Sequence, residues 1–289
     1  MIKPSYLSER KETFIAVSHV DEILRQDNRV MEKSCNNFFT DLLSPREFQS
    51  WDCFRHPVRR REWLITRLLA KHMVLSGITK PLPTTGGPMI QFVDHYDILS
   101  GDSSAFCRTE LLSSVKGKAP KLFWFGEDMS PFISCSASHS GGWVAVALSD
   151  SKSLVGVDIE KVKDFSDVFR RSCFSDHERA WIELNSATSS MSHEELCTLL
   201  WTFKESAFKV GGVCKGFLLR TDVNVMTVLE KPLPLLGQTE EVPEMAYFNL
   251  EVFIDGWHWA QGASCFITGD RLLSVLTVKK GEKKHYENH

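Results

Sequence analysis

The chain has 289 residues, 43% hydrophobic and 25% charged, which suits one large globular domain or two smaller ones. Its 34 basic and 37 acidic residues leave a formal net charge of −3, which argues against a protein that binds nucleic acid over its whole surface. No window approaches the ~18–20 apolar residues of a membrane span, and the start MIKPSYLSERKETF has no apolar stretch behind its charges, so no signal peptide is expected. The eight cysteines never form CxxC, which excludes a zinc ribbon and points to reduced thiols in a cytoplasm.

In chain order, a strand is predicted at Phe14–Val20. A helix follows whose Ser44 caps and whose Pro45 takes the first helical position. Leu64, Leu68 and Leu69 mark an amphipathic helix over Arg59–Met73 that stops near Gly77. The turn-rich PLPTTGGP at 81–88 leads to a strand at Met89–Phe92 and a helix around Ser104–Val115. Three strands are predicted at Phe132–Ser136, Trp143–Leu148 and Leu154–Glu160. FSDHE at 174–178 reads as helical, and after the polar loop SATSSMS a strong helix runs over Glu194–Val210. Alternating patterns return in VNVMTVL, AYFNLEVFI, WHWAQGASCFI and LLSVLTV, and the charged tail KKGEKKHYENH is expected to fray.

An internal echo joins the two long helices. Trp63, Arg67 and Lys71 match Trp201, Glu205 and Lys209 at a constant offset of 138 residues. Read as two related halves, the chain is a pseudo-dimer whose halves meet near residue 150, with one helix of each facing a shared cleft.

Two segments carry candidate chemistry. In the strand LVGVDIE, side chains alternate, so Gly156, Asp158 and Glu160 share one face and Val155, Val157 and Ile159 the other. The apolar face can pack on the core, and the other presents two carboxylates about 7 Å apart. Such a pair wants either water or a cation. In the helix LLWTFKESAFKV, Trp201, Glu205 and Lys209 form one stripe. Taken alone, LVGVDIE reads first as an exposed strand end with two solvated acids, and the helix stripe first as a surface ion pair of Glu205 with Lys209. Lys204, on the other side of the helix, reads as readily as a solvated lysine.

Together the segments resemble the signature of the 4′-phosphopantetheinyl transferases. Val155-Gly156-Val157-Asp158 is followed, after 42 residues, by Trp201-Thr202-Phe203-Lys204-Glu205-Ser206-Ala207-Phe208-Lys209. Further segments are similar to that family: Ser138-His139-Ser140-Gly141, Phe174-Ser175-Asp176-His177-Glu178, the glycine-containing turn Gly212–Gly216, and Arg59–Arg67 of the first long helix. Gly117-Lys118-Ala119-Pro120 departs from the family's G-K/R-P turn by one residue, and Thr66 stands where a glycine is usual.

The resemblance implies transfer of 4′-phosphopantetheine from coenzyme A to a serine of an apo acyl or peptidyl carrier protein, releasing adenosine 3′,5′-bisphosphate. It implies that Asp158, Glu160 and Glu205 hold Mg²⁺, to which three hard oxygen donors are suited. Lys209 then meets the pyrophosphate and Glu205 is the base for the carrier serine, directly or through a metal-bound water. Arg59, Arg67, Lys118, Ser138 and His139 join Asp158, Glu205 and Lys209 in binding coenzyme A, with His139 on the 3′-phosphate and Arg61 an alternative to Arg59. The carrier is expected to be acidic. Apolar residues between Phe165 and Phe174, and Trp181, are candidates for docking it or for ordinary core.

The implied fold is α+β, a monomeric pseudo-dimer of two similar halves, each a small, mostly antiparallel sheet packed on a long helix. Residues 1–150 would bind the coenzyme A nucleotide and its 3′-phosphate, and residues 151–289 would carry the metal-binding and catalytic signature. The expected setting is cytoplasmic secondary metabolism: a siderophore or other non-ribosomal peptide, a polyketide, or a polyunsaturated fatty acid. The competing readings are a Mg²⁺-dependent nucleotide phosphodiesterase, which needs no protein acceptor, and a non-catalytic coenzyme A- or carrier-binding module.

Overall fold

A computed structural model describes residues 13–25, 39–79, 89–99, 102–113, 119–211, 223–225, 245–253 and 257–283. The chain divides into two compact units, Met1–Val115 with Ala119–Ser151, and Lys152–His289 with Lys116–Lys118. Helices and strands mix in both, and the fold is α+β. No described helix is long and apolar enough to cross a membrane.

In the first unit, strand β1 (Phe14–His19) runs into helix α1 (Val20–Arg25), and then come α2 (Pro45–Asp52) and α3 (Pro57–Thr79). Strand β2 (Met89–Phe92), helices α4 (His95–Leu99) and α5 (Ser103–Arg108), and strands β3 (Thr109–Leu112), β4 (Lys121–Trp124), β5 (Glu127–Asp128), β6 (Ile133–Ser140) and β7 (Trp143–Asp150) complete it. The main sheet has the order β2-β1-β7-β6, antiparallel except for β1 against β2. The apolar stripe of α3, with Ile65, Leu68 and Leu69 wholly buried, lies against Ala16, Val144, Val146 and Leu148.

In the second unit, β8 (Ser153–Lys161) is followed by α6 (Asp167–Cys173), α7 (Asp176–Thr188) and α8 (His193–Gly211). Strands β9 (Val223–Val225), β10 (Ala246–Phe253), β11 (Trp257–Thr268) and β12 (Arg271–Lys283) close a sheet ordered β8-β12-β11-β10-β9, antiparallel throughout. Helix α8 crosses it, with Phe203 and Ala207 buried against Phe248, Leu250 and Leu276. In both units the first strand pairs with the last, and the last two strands form a hairpin.

One anchoring device occurs in both units. Ser44 and Glu47 form a capping box at the start of α2, and Ser175 and Glu178 form another at the start of α7. Each glutamate also takes a buried lysine from the long helix: Lys71 Nζ lies 2.5 Å from Glu47 Oε2, and Lys204 Nζ lies 2.8 Å from both oxygens of Glu178. Each accepts a strand N–H as well, from Leu111 and Val223 at 2.9 Å. These four lysine and glutamate side chains have at most 1% exposure. A buried carboxylate needs such saturation to be tolerated.

This geometry corrects two expectations. Lys204 is buried and paired rather than solvated. The structural counterpart of Lys71 is Lys204, at an offset of 133, and not Lys209 at 138, so the echo read from Trp63, Arg67 and Lys71 is in the wrong register.

Other corrections are local. The segment predicted as a helix to Val115 stops at Arg108 and turns into β3, because Thr109–Leu112 pairs with β4. Helix α3 continues past Gly77 to Thr79. Ser186, Ala187 and Thr188 belong to α7 rather than to a loop. Lys279–Lys283, placed in a fraying tail, continue β12. The predicted turn at 81–88, residues 226–229 of VNVMTVL, the turn at 212–216, Lys118 and the tail beyond 283 lie outside the described residues.

Candidate active site

The two halves of the signature meet through Gly156. A Cβ added there would stand 1.9 Å from the backbone oxygen of Ser206, so only glycine lets α8 lie this close to β8. Helix α8 thus covers the face of β8 that carries Gly156 and Asp158, and not the apolar face assigned to the core. Asp158 is 4% exposed beneath it, and Val155, Val157 and Ile159 on the other face are buried too.

Lys209, one turn beyond Glu205, does not close the i,i+4 ion pair with it. Its Nζ donates to Val157 O and to Asp158 Oδ1, both at 2.8 Å. Glu160, at the half-buried end of the strand, lies 3.4 Å from Lys163 Nζ. Glu205 is the perturbed group here: burial, then the charge of Asp158, push its carboxyl up to about 7, Glu160 adds to the rise, and Lys209 and Lys163 oppose it. A carboxyl near neutrality beside two other acids is a functional-site signal.

The donor set fits the expected Mg²⁺ in kind, since all three are hard carboxylate oxygens and the charges of Asp158 and Glu160 both bear on the Glu205 carboxyl. Among the described residues, however, no group of three His, Cys, Asp or Glu side chains stands within metal-holding distance. Lys209 and Lys163 lie instead against Asp158 and Glu160.

The other predicted residues lie in the first unit. The start of α3 carries Arg59, Arg60 and Arg61 with no acidic residue in its first turn, a placement the helix dipole disfavours unless an anion is to be met. Arg59 NH1 is 2.7 Å from His139 Nδ1 and 3.1 Å from its Nε2. Ser138 is buried within β6, and His139 is 34% exposed beside the turn Gly141-Gly142, whose φ values of 54° and 87° both favour glycine. Arg61 points elsewhere, with its NH1 3.9 Å from Asp21.

Arg67 is not on the surface. It is 5% exposed, stacks over the Trp63 ring with Cζ 3.7 Å from the centroid, and donates to Ser113 Oγ at 3.1 Å. Its buried Nε has no partner, and burial lowers the guanidinium to about 10 against the pull of Glu47. One residue of this corner went unassigned in the sequence. Glu62, 4% exposed, lies between Arg59 and His139; in the sequence it stood within the Arg59–Arg67 resemblance with no role assigned to it.

Of the docking candidates read from the sequence, Phe165, Cys173 and Phe174 are buried in the core and Trp181 packs against them half-buried, whereas Val168 is exposed. The exposed side chains of that region are Val168 at 70% and Leu184 at 64%. Their two helices, α6 and α7, and the start of α8 line a pocket of about 180 Å³ with Arg170, Arg171, Arg179, His193, Asp167 and Glu183.

Residues 154–242 match the family model described as the 4′-phosphopantetheinyl transferase superfamily. The 4′-phosphopantetheinyl transferase gsp of Aneurinibacillus migulanus is 32% identical over 95 residues, which cover 32% of this chain and 38% of that protein. The resemblance to this superfamily therefore holds across the segment that contains Asp158, Glu160, Glu205 and Lys209.

Proposed function

We propose that the protein transfers 4′-phosphopantetheine from coenzyme A to a serine of an apo carrier protein. The observation that carries this reading is the close approach of α8 to β8 at Gly156, which sets Glu205 of the second signature segment into the field of Asp158 and Glu160 of the first. The family match over 154–242 supports it.

In this reading the serine Oγ attacks the β-phosphorus of the coenzyme A pyrophosphate. A new P–O bond forms, the bridging P–O bond breaks, and adenosine 3′,5′-bisphosphate leaves. The serine proton goes to the Glu205 carboxylate, directly or through a metal-bound water. Lys209 meets the charge that grows on the departing phosphate oxygen. Asp158, Glu160 and Glu205 would hold Mg²⁺, which supplies neutralisation of the pyrophosphate charge. In the first unit, Arg59, with its NH1 beside the His139 ring, and His139 take the 3′-phosphate, with Ser138 behind them. Secondary metabolism and a cytoplasmic monomer complete the proposal. Val168 and Leu184, with the arginine-lined pocket of the same helices, are the surface for an acidic carrier helix.

The test is intact-mass spectrometry of apo carrier proteins incubated with the protein, coenzyme A and Mg²⁺. A gain of about 340 Da on a carrier, the mass of the transferred group, supports the proposal when Glu205→Gln and Lys209→Ala abolish it. Consumption of coenzyme A with no gain on any carrier replaces it with hydrolysis.

A further inference from the structure

Glu62 has no role in the reaction as proposed, yet its carboxylate touches three elements of the first unit. Its Oε2 is 3.2 Å from His139 Nδ1 on β6 and 3.7 Å from Arg59 NH1 one helical turn back. Its Oε1 accepts from the backbone N–H of Gly142, in the turn after β6, at 3.3 Å. The side chain is 5% exposed, whereas Arg59 is 58% and His139 34% exposed. Pairs with partners so open to water add little stability, while taking a carboxylate out of water is costly. Stability alone does not account for a buried acid here.

We infer that Glu62 is a positioning residue, whose buried carboxylate holds Arg59 and His139 side by side as one receptor for a terminal phosphate, the 3′-phosphate of coenzyme A. The inference rests on the reading that these two residues meet that phosphate. The Arg59 guanidinium stands 2.7 Å from Nδ1 and 3.1 Å from Nε2, and the Glu62 carboxylate 3.2 Å from Nδ1, so guanidinium, ring and carboxylate meet at one place. The ring nitrogen and the guanidinium then address the same point in space. A phosphate arriving at that point takes the Arg59 donors, and Nε2 donates to it once protonated, with Glu62 across the ring balancing the imidazolium. Without Glu62 the ring loses its contact at Nδ1, and the imidazolium formed on phosphate binding faces the guanidinium with no carboxylate beside it. The bond to Gly142 ties the carboxylate to the Gly-Gly turn, so receptor and hairpin keep one geometry.

Calorimetry on the full chain with adenosine 3′,5′-bisphosphate and with adenosine 5′-monophosphate separates this role from a structural one. The wild type is expected to prefer the bisphosphate by tenfold or more, roughly the worth of a charge-assisted contact. Glu62→Gln, which keeps an acceptor for Gly142, should lose most of that preference while its affinity for the monophosphate stays within about twofold. Glu62→Asp should recover part of it. In turnover, Glu62→Gln should raise KM for coenzyme A about tenfold with kcat nearly unchanged, and leave KM for dephospho-coenzyme A alone. A Glu62→Gln protein that keeps the preference overturns the inference, as does one that weakens both ligands equally along with a lowered Tm. A wild type with no preference overturns both the inference and the assignment of the 3′-phosphate to this corner. A wild type that shows the preference but loads no carrier leaves Glu62 its role and overturns the transferase reading.

Discussion

Lys204 Nζ lies 2.8 Å from both carboxylate oxygens of Glu178, and neither side chain reaches water. The residue after Lys204 is Glu205, so this pair fixes the rotation of α8 that turns Glu205 toward β8. Glu178 meanwhile holds the N-terminus of α7 through Ser175 N–H and the strand β9 through Val223 N–H. Breaking one partner strands the other as a buried, uncompensated charge. Lys204→Met and Glu178→Leu are each expected to cost about 3–5 kcal/mol in urea unfolding, and the double variant clearly less than their sum.

Gly156→Ala places a methyl group 1.9 Å from Ser206 O, a backbone atom that no rotamer change can move. The helix must lift from the strand, at a cost of more than about 3 kcal/mol. Thermal unfolding checks the stability, and any folded fraction should lack transferase activity because Glu205 leaves the field of Asp158.

The Glu205 carboxyl has an ordinary value of 4.5 and stands at about 7 in the folded protein. A folded-state value above the unfolded one gives stability that is complete below the unfolded value and is lost as pH rises through about 7, because the folded state holds the proton longer. In metal-free protein, Glu205→Gln should therefore exceed the wild type in stability by roughly 2 kcal/mol at pH 8 and by nothing at pH 4. Urea unfolding at the two pH values measures it. Added Mg²⁺ at pH 8 should raise the Tm of the wild type and not of the variant.

Arg67 is buried over Trp63, so Arg67→Lys forfeits the planar stack and the bond to Ser113. The expected result is a loss of about 1–2 kcal/mol in stability with KM for coenzyme A changed less than twofold. A large rise in KM with stability intact would show instead that Arg67 reaches the ligand as the motif resemblance implies.

The strands at Phe14, Met89, Trp143 and Leu154, the capped helix after Ser44 and the long helices around Leu68 and Leu200 were legible because period and capping chemistry are local properties. Thr109–Leu112 was not: nothing in those residues forbids a helix, and pairing with Lys121–Trp124 decides the matter. At the site, residue types and spacing left Asp158, Glu160, Glu205 and Lys209 open between solvated charges and a site, and the family resemblance singled them out. Their contacts were not readable, and the i,i+4 spacing of Glu205 and Lys209 suggested a pair that the fold replaces with Lys209 and Asp158. The role of Lys204 was misread for the same reason, since its partner lies 26 residues away.

The sequence by itself determined the element types wherever a repeat or a cap is written into neighbouring residues, and it named the side chains proposed for the chemistry. Tertiary structure alone decided which charges are buried and which atom faces which. It put Lys71 and Lys204 inside and Arg59 outside, sank Arg67 beneath Trp63, and set Glu62 between an arginine and a histidine 80 positions along the chain. The physical reason is that the cost of a charge depends on its distance from water and from its counter-charge, and neither distance exists until strands and helices close on one another.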